Sequence, residues 1–297
     1  MQTVSRDIVA CAQHLAAQVA ARAVVLYADA IARDDELRQV LGGLTYPTIV
    51  ASRSRQARVP PDRESCTWVS VPDVYFSRAA QLKSALLVCL ARQLLRQGDR
   101  ILFVGGADGS GVFDTLLVFN VGALPELFTL TEAAAFAGDV IPEVFERVLG
   151  LATQLAAEGR EGRPVGTLFV VGDSDRVLAQ CRSLVLNPFQ GHPEAQRNIL
   201  DPALDETIKE FAALDGAFVV RADGVVLSAG TQLVPSVPHA RLPGGLGTRH
   251  AAAAGITAST AAVAVCVSQS TGTVSLFKSG GLVTSIQRPS TAVRLAG

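Results

Sequence analysis

In the first part of the chain, short solid blocks of apolar residues alternate with longer stretches in which apolar residues recur at helical intervals. Residues 8–21 read as a helix and Ala23-Val24-Val25-Leu26-Tyr27 as a buried strand. Residues 30–41 read as a second helix, ended by Gly42-Gly43. Residues 48–51 and 67–71 read as short strands, and 77–97 as a long apolar helix. Residues 101–104 and 115–121 read as strands on either side of a glycine-rich loop. Alternation of this kind predicts a small α/β domain with a mainly parallel sheet.

Residues 122–138 read as a connection. Beyond it, Ile141, Val144, Phe145, Val148, Ala152 and Leu155 recur at helical spacing, with Asp139 placed to cap the helix and Pro142 suited to its first turn. The charged turn Glu158-Gly159-Arg160-Glu161-Gly162-Arg163 ends it. A strand is expected at 165–171 and a helix at 174–186. Next come a loop at 187–192, a helix at 206–213 and a hairpin of 217–221 with 225–228. A helix at 249–257 and strands at 262–268, 273–277 and 282–286 complete the pattern. This half reads as a mixed-sheet α/β domain, and the expected division is 1–124 and 131–297.

Composition narrows the picture. At 297 residues, with 49% hydrophobic and 18% charged residues, the chain suits two globular domains. A formal net charge of −1 argues against holding nucleic acid by bulk electrostatics. The five cysteines form no CxxC pair and read as reduced core residues, and none of the four histidines has a Cys or His partner at zinc spacing. The N-terminus does not resemble a signal peptide, and no stretch approaches the roughly 18 uncharged apolar residues of a membrane helix. A cytoplasmic protein is expected.

Three short motifs carry candidate chemistry. Gly105-Gly106-Ala107-Asp108-Gly109-Ser110-Gly111 follows a strand, as a phosphate loop would. It lacks the Lys-Ser/Thr of such loops, and a strand rather than a helix follows it, so it reads as an ordinary turn. Asp215-Gly216-Ala217 places a carboxylate at the start of a strand whose partner ends in Ala229-Gly230-Thr231-Gln232-Leu233, which puts Asp215 at a sheet rim. There, α/β folds commonly bind ligands. Gly245-Leu246-Gly247-Thr248-Arg249-His250 leads into an alanine-rich helix, whose first unpaired N–H groups attract anions, and Arg249 and His250 add charge and donors suited to phosphate. Taken singly, the last two also suit a capped turn and a solvated surface helix.

Their content and order are more specific. The run 158–167, then Gly172-Asp173, Asn187-Pro188-Phe189, Asp215-Gly216-Ala217, Ala229-Gly230-Thr231-Gln232-Leu233, Gly247-Thr248-Arg249-His250 and Val267-Ser268-Gln269-Ser270 resembles the diadenylate cyclase domain over about residues 131–286. The first half, especially residues 98–106 leading into 115–121, resembles the C-terminal domain of pyruvate kinase, a pairing found in the archaeal-type diadenylate cyclases. The resemblance implies condensation of two ATP molecules into cyclic di-AMP with release of two pyrophosphates.

It also implies roles residue by residue. Asp215 would bind the divalent metal, Mn2+ or Mg2+, and help activate the 3′-hydroxyl. Gly216 and Ala217 would shape the floor beneath it. Leu233 would pack on adenine, and Gly247, Thr248, Arg249 and His250 would hold the triphosphate with Ser268 beside it. Asp215, Arg249 and His250 are the catalytic candidates. Ala251 stands where the family usually has a second Arg, and Gln269-Ser270 stands where membrane-anchored members carry two glutamates. The implied partners are ATP and a second copy of the chain, with neither nucleic acid nor membrane. Two rivals remain: a weakly active or inactive adenine-nucleotide sensor of the same fold, favoured by Ala251, and an assembly scaffold with a vestigial site.

Overall fold

The computed structural model describes residues 2–53, 66–123, 128, 138–235 and 247–288. The expected domain edges, most of the 122–138 connection, and Gly245-Leu246 of the third motif lie outside these residues. The chain divides into two compact units, 1–134 and 135–297.

In the first unit the elements run α1 (Gln2–Gln18), β1 (Ala23–Tyr27), α2 (Asp34–Gly42), β2 (Thr48–Ser52), β3 (Cys66–Ser70), α3 (Arg78–Ala91), β4 (Arg100–Gly105) and β5 (Thr115–Asn120). The sheet order is β3-β2-β1-β4-β5. The first four strands are parallel, and β5 is antiparallel to β4. Val9, Ala12 and Ala16 of α1 and Leu37 and Val40 of α2 pack with Val24, Leu26, Val50, Leu102 and Val104, one face of the sheet. Side chains alternate along a strand, so Val25, Ile101 and Phe103 point to the opposite face. There α3 buries Leu82, Ala85, Leu86 and Cys89. The fold expected for this half is observed. One cysteine expectation fails: Cys11 is exposed on α1, whereas Cys89 and Cys266 are buried.

The second unit runs α4 (Pro142–Glu158), β6 (Thr167–Val171), α5 (Ser174–Leu178), β7 (Cys181–Ser183), α6 (Asp205–Phe211), β8 (Ala217–Val220), β9 (Val226–Leu233), α7 (Thr248–Ser259), β10 (Val263–Val267), β11 (Val274–Lys278) and β12 (Gly281–Ile286). They build a mixed sheet of order β12-β11-β10-β6-β8-β9-β7. Only β6 and β8 pair in parallel. Ala253, Ala254 and Ile256 of α7 pack on Leu168, Val170, Ala217, Val219, Ala264 and Cys266. The other face carries Phe169 and Phe218, stacked 4.9 Å apart, with Phe189 reaching Phe218 at 6.5 Å and Phe211 of α6 at 5.7 Å. Phe189 of the Asn-Pro-Phe motif thus fixes its loop onto the sheet.

Two local readings are corrected. Asp139 does not cap α4: Ile141 stands at the N-cap with no side-chain bond, and Pro142 opens the helix by itself. The helix expected at 174–186 stops at Leu178. The apolar run after it is captured by the free edge of β9, with Cys181 opposite Leu233 and the Leu184 N–H donating to the Gly230 carbonyl at 3.0 Å. Sheet hydrogen bonds outweigh the local periodicity, leaving Leu184, Val185 and Leu186 exposed.

Candidate active site

The parallel pair β6 and β8 sets the geometry. Gly166 and Asp215 stand just before the two strands, so both lie at their amino ends. Because β10 runs antiparallel to β6, with Val267 opposite Thr167, the turn after β10 comes to the same edge. The rim that Asp215 occupies is therefore the amino-terminal one. The sequence reading placed Asp215 at a sheet rim without naming the edge; open α/β sheets more usually bind ligands at the carboxyl ends of their strands.

Gly216 hangs Asp215 on that edge. Its φ is +106°, and a Cβ there would lie 2.5 Å from the Thr231 nitrogen and 2.7 Å from the Gly230 carbonyl carbon. No side chain fits between β8 and β9 at this point. Ala217 pairs with Thr231, and both are buried. Asp215 itself projects into solvent with its side chain 90% exposed, and the Arg249 Nη2 donates to its Oδ1 at 3.1 Å. Leu233 lies two residues past Thr231 along β9, toward the same edge. Its side chain is packed with Val177 and Ala217, 9% exposed.

Arg249 is the hub. It sits in the first turn of α7, and its Nη1 would be 2.8 Å from a Cβ at Gly166, which would also lie 2.8 Å from the Gln269 Cβ. Gly166 thus clears a slot through which the guanidinium reaches Asp215. Gly247 is the N-cap and provides no side-chain bond to the helix. Its carbonyl accepts from the His250 and Ala251 N–H groups at 3.1 Å. The start of α7 keeps the positive end of its dipole uncapped by any acid. A cleft of about 600 Å³ opens there, lined by Gly247, Thr248, Arg249, His250, Ser268 and Gln269 among others.

His250 faces inward, 7% exposed, its ring edge-on to Phe277 at 6.0 Å. Burial holds its pKa below the usual 6.5, so it is neutral at pH 7 and presents a hydrogen-bonding imidazole rather than the charge assumed from sequence. Ser268 shapes the turn between β10 and β11. Its N–H donates to the Thr273 carbonyl at 2.9 Å, and its Oγ meets the Ser270 Oγ at 3.3 Å. Of the nine candidate residues, Gly247, Thr248, Arg249, His250 and Ser268 line the cleft, Asp215 bonds its Arg249 and Gly216 carries Asp215, whereas Ala217 and Leu233 are buried in the core. Gly166, which makes room for Arg249, was not among the candidate residues. Its only signal was a glycine directly before a buried strand within the diagnostic run.

The nucleotide-binding family of the DisA bacterial checkpoint controller matches residues 154–282, and the family described as probable sensor domain DacZ_P matches residues 5–129. A diadenylate cyclase of Haloferax volcanii is 33% identical over 228 residues, covering 75% of this chain and 81% of that protein. The chain belongs to the diadenylate cyclase family. The resemblance read from the residues is therefore kinship. A second diadenylate cyclase, from Methanocaldococcus jannaschii, is 37% identical over 208 residues, 70% of this chain and 66% of that one. Among solved structures, DacA from Staphylococcus aureus superposes on 49% of this chain and 88% of its own, with a TM-score of 0.31 and 22% identity. Among the described residues no helix is long and apolar enough to cross a membrane.

Two outcomes follow from this geometry. Gly166→Ala should leave the fold intact but push Arg249 out of its slot. A displacement of about 1 Å at a positioning group lowers turnover by about 10²-fold, read by initial rates alongside an unchanged far-UV spectrum. His250 also makes stability depend on pH. Its folded pKa is depressed, so its contribution is complete above the unfolded value of 6.5 and is lost as pH falls through the folded value. The melting temperature of wild type should fall more steeply below pH 6.5 than that of His250→Gln. Parallel pH profiles would remove His250 from this account.

Proposed function

We propose that this diadenylate cyclase condenses two ATP molecules into cyclic di-AMP and releases two pyrophosphates, each ATP held by one C-terminal domain and the two domains facing each other. The observation that supports this most is the Arg249–Asp215 bridge at the open end of α7. It joins a phosphate-binding element to the carboxylate suited to a 3′-hydroxyl. We assign catalysis to residues 131–297, and sensing or assembly to residues 1–124.

In this reading the triphosphate enters the cleft beside Gly247, Thr248, Arg249, His250 and Ser268. The free N–H groups of the first helical turn and the guanidinium hold its oxygens, while neutral His250 adds a hydrogen bond. Arg249 exchanges Asp215 for phosphate. An ion pair this exposed is worth only about 0–1 kcal/mol, so the exchange is easy. Asp215 is then free to accept the proton of the 3′-hydroxyl as that oxygen attacks the α-phosphorus of the facing nucleotide and pyrophosphate leaves. Leu233 supports the adenine side through the core rather than by an open face. Catalysis of this kind is chiefly positioning and charge stabilisation.

A divalent ion fits the site. Among the described residues no group of three or more His, Cys, Asp or Glu is assembled to hold a metal by protein ligands alone. One exposed carboxylate suits an ion of the Mg2+ kind, which uses one or two carboxylates together with water and substrate phosphates. Asp215 would hold Mn2+ or Mg2+, which would neutralise phosphate charge.

A second reading, a nucleotide-binding sensor of weak or absent activity, is favoured by Ala251. It leaves the first turn of α7 with one Arg where the family pattern has two. Incubation with ATP and manganese followed by mass spectrometry separates the two readings: a cyclic dinucleotide supports the first, and saturable ATP binding without product supports the second. On the first reading, Asp215→Asn should lower turnover by roughly two orders of magnitude or more, and near-normal turnover would remove Asp215 from the chemistry. Each domain carries one set of phosphate-binding residues, so the ring closes only between two copies. Specific activity should fall on dilution, and adding Asp215→Asn chains to wild type should suppress it more than dilution does. Constant activity per chain down to a monomer would contradict the facing arrangement.

A further inference from the structure

The first unit gathers a cluster of polar side chains of its own. Its sheet order reverses between β1 and β4, and open α/β sheets bind ligands outside the carboxyl ends of their strands at such a point. Four chain segments meet there. Tyr27 ends β1 and Asp29 follows it; Ser52 ends β2 and Arg53 follows it; Gln81 lies in the second turn of α3; and Asp108 comes from the glycine-rich loop after β4. That loop reads as an ordinary turn from sequence, but it is fastened to the end of β1. The Gly109 N–H donates to the Asp29 carbonyl and the Gly111 N–H to the Ala30 carbonyl, both at 2.9 Å. A Cβ at Gly106 would lie 2.1 Å from the Val112 carbonyl oxygen, so the loop needs glycine to close this tightly.

The charges do not balance. Asp29 is satisfied: it accepts from the Ser52 hydroxyl at 3.1 Å and the Arg53 N–H at 2.8 Å, and the Arg53 Nε lies 3.5 Å away. Arg53 is further held over the Tyr75 ring at 4.6 Å. Among the described residues, the donors to Asp108 are neutral, the Gln81 Nε2 at 3.0 Å and the Phe76 N–H at 3.4 Å. Among the described residues, two fully buried oxygens lack a partner: the Gln81 Oε1, on the amide that bonds Asp108, and the Tyr27 hydroxyl, which feels the Asp108 charge. Burial pushes the Asp108 carboxyl up to about 6, with Arg53 opposing and Asp29 reinforcing the rise. Burial, followed by the Asp108 and Asp29 charges, raises the Tyr27 phenol well above its ordinary range, so it stays protonated. Buried polar groups without partners are rare, and a carboxylate in such a setting calls for positive charge.

We propose that this polar cluster binds a small cationic ligand, a metal ion or an ammonium group, at Asp108, Gln81 and Tyr27. The one Arg53 charge faces two carboxylates and lies against Asp29, so Asp108 is the one left undercompensated. The Gln81 Oε1 and the Tyr27 oxygen supply two further hard acceptors, a donor set suited to Mg2+, Ca2+, K+ or a primary ammonium group.

The test uses the full chain carrying Asp215→Asn, so that the carboxylate assigned to the nucleotide site cannot report. Melting temperature is followed while MgCl2, MnCl2, CaCl2 or KCl is added in one arm and 1,3-diaminopropane in another, with choline chloride as the ionic-strength control. At least one probe should raise the melting temperature saturably by about 3 °C or more, and the arm that responds identifies the source of the charge. Asp108→Asn keeps the shape of the side chain and should abolish the rise. Tyr27→Phe should weaken it and remove the accompanying near-UV tyrosine change. The proposal is overturned if no probe exceeds choline, if Asp108→Asn responds like its parent, or if acidification alone stabilises the protein.

Discussion

The close approach of β8 to β9 at Gly216 is the constraint on which the candidate active site rests. With a Cβ there only 2.5 Å from the Thr231 nitrogen, any other residue would force the two strands apart. Asp215 would then lose its place beside Arg249. Gly230, on the opposing strand, has φ +62° and would drive a Cβ to within 2.5 Å of the Val185 Cγ2. Gly166 completes the set by leaving room for the guanidinium. Three glycines therefore position the charged groups by keeping volume out of the edge, while the apolar packing of α7 on Leu168, Val170 and Ala264 fixes the helix start.

That rigidity stops at the charges themselves. Asp215 is 90% exposed and Arg249 29% exposed, so their bond is easily exchanged for water or phosphate. His250 behaves oppositely, being buried, neutral and held against Phe277. Such a site has its shape set by buried groups, and in the proposed reading its exposed ion pair is exchanged for phosphate. The arrangement suits a reaction whose barrier is lowered by placing phosphates more than by covalent chemistry.

Much of this was legible in the sequence, and the parts that were not share a cause. The solid apolar blocks 23–27 and 167–171 declare buried strands, since all five residues of each are inside. The helix of 142–158 follows from its spacing and Pro142. By contrast, residues 179–186 have helical composition but lie at a sheet edge, and only the free backbone groups of β9 decide their conformation. The neutrality of His250 is equally non-local, because it depends on Phe277 and a helix face that no spacing reveals. The importance of Gly166 depends on Arg249, 83 residues later in the chain.

The two units also show why a motif's chemistry cannot be read from its glycines alone. The loop 105–111 has the glycine content of a phosphate cradle, yet it ends in a strand and therefore offers no helix dipole. What it delivers is a carboxylate, Asp108, beside the buried Gln81 amide. Residues 247–250 contain one glycine, but they open a twelve-residue helix, and the same backbone N–H chemistry now points outward, uncapped, beside an Arg. The sign of the charge each loop favours is set by the element that follows it: a strand leaves side chains to decide, whereas a helix imposes its own positive end.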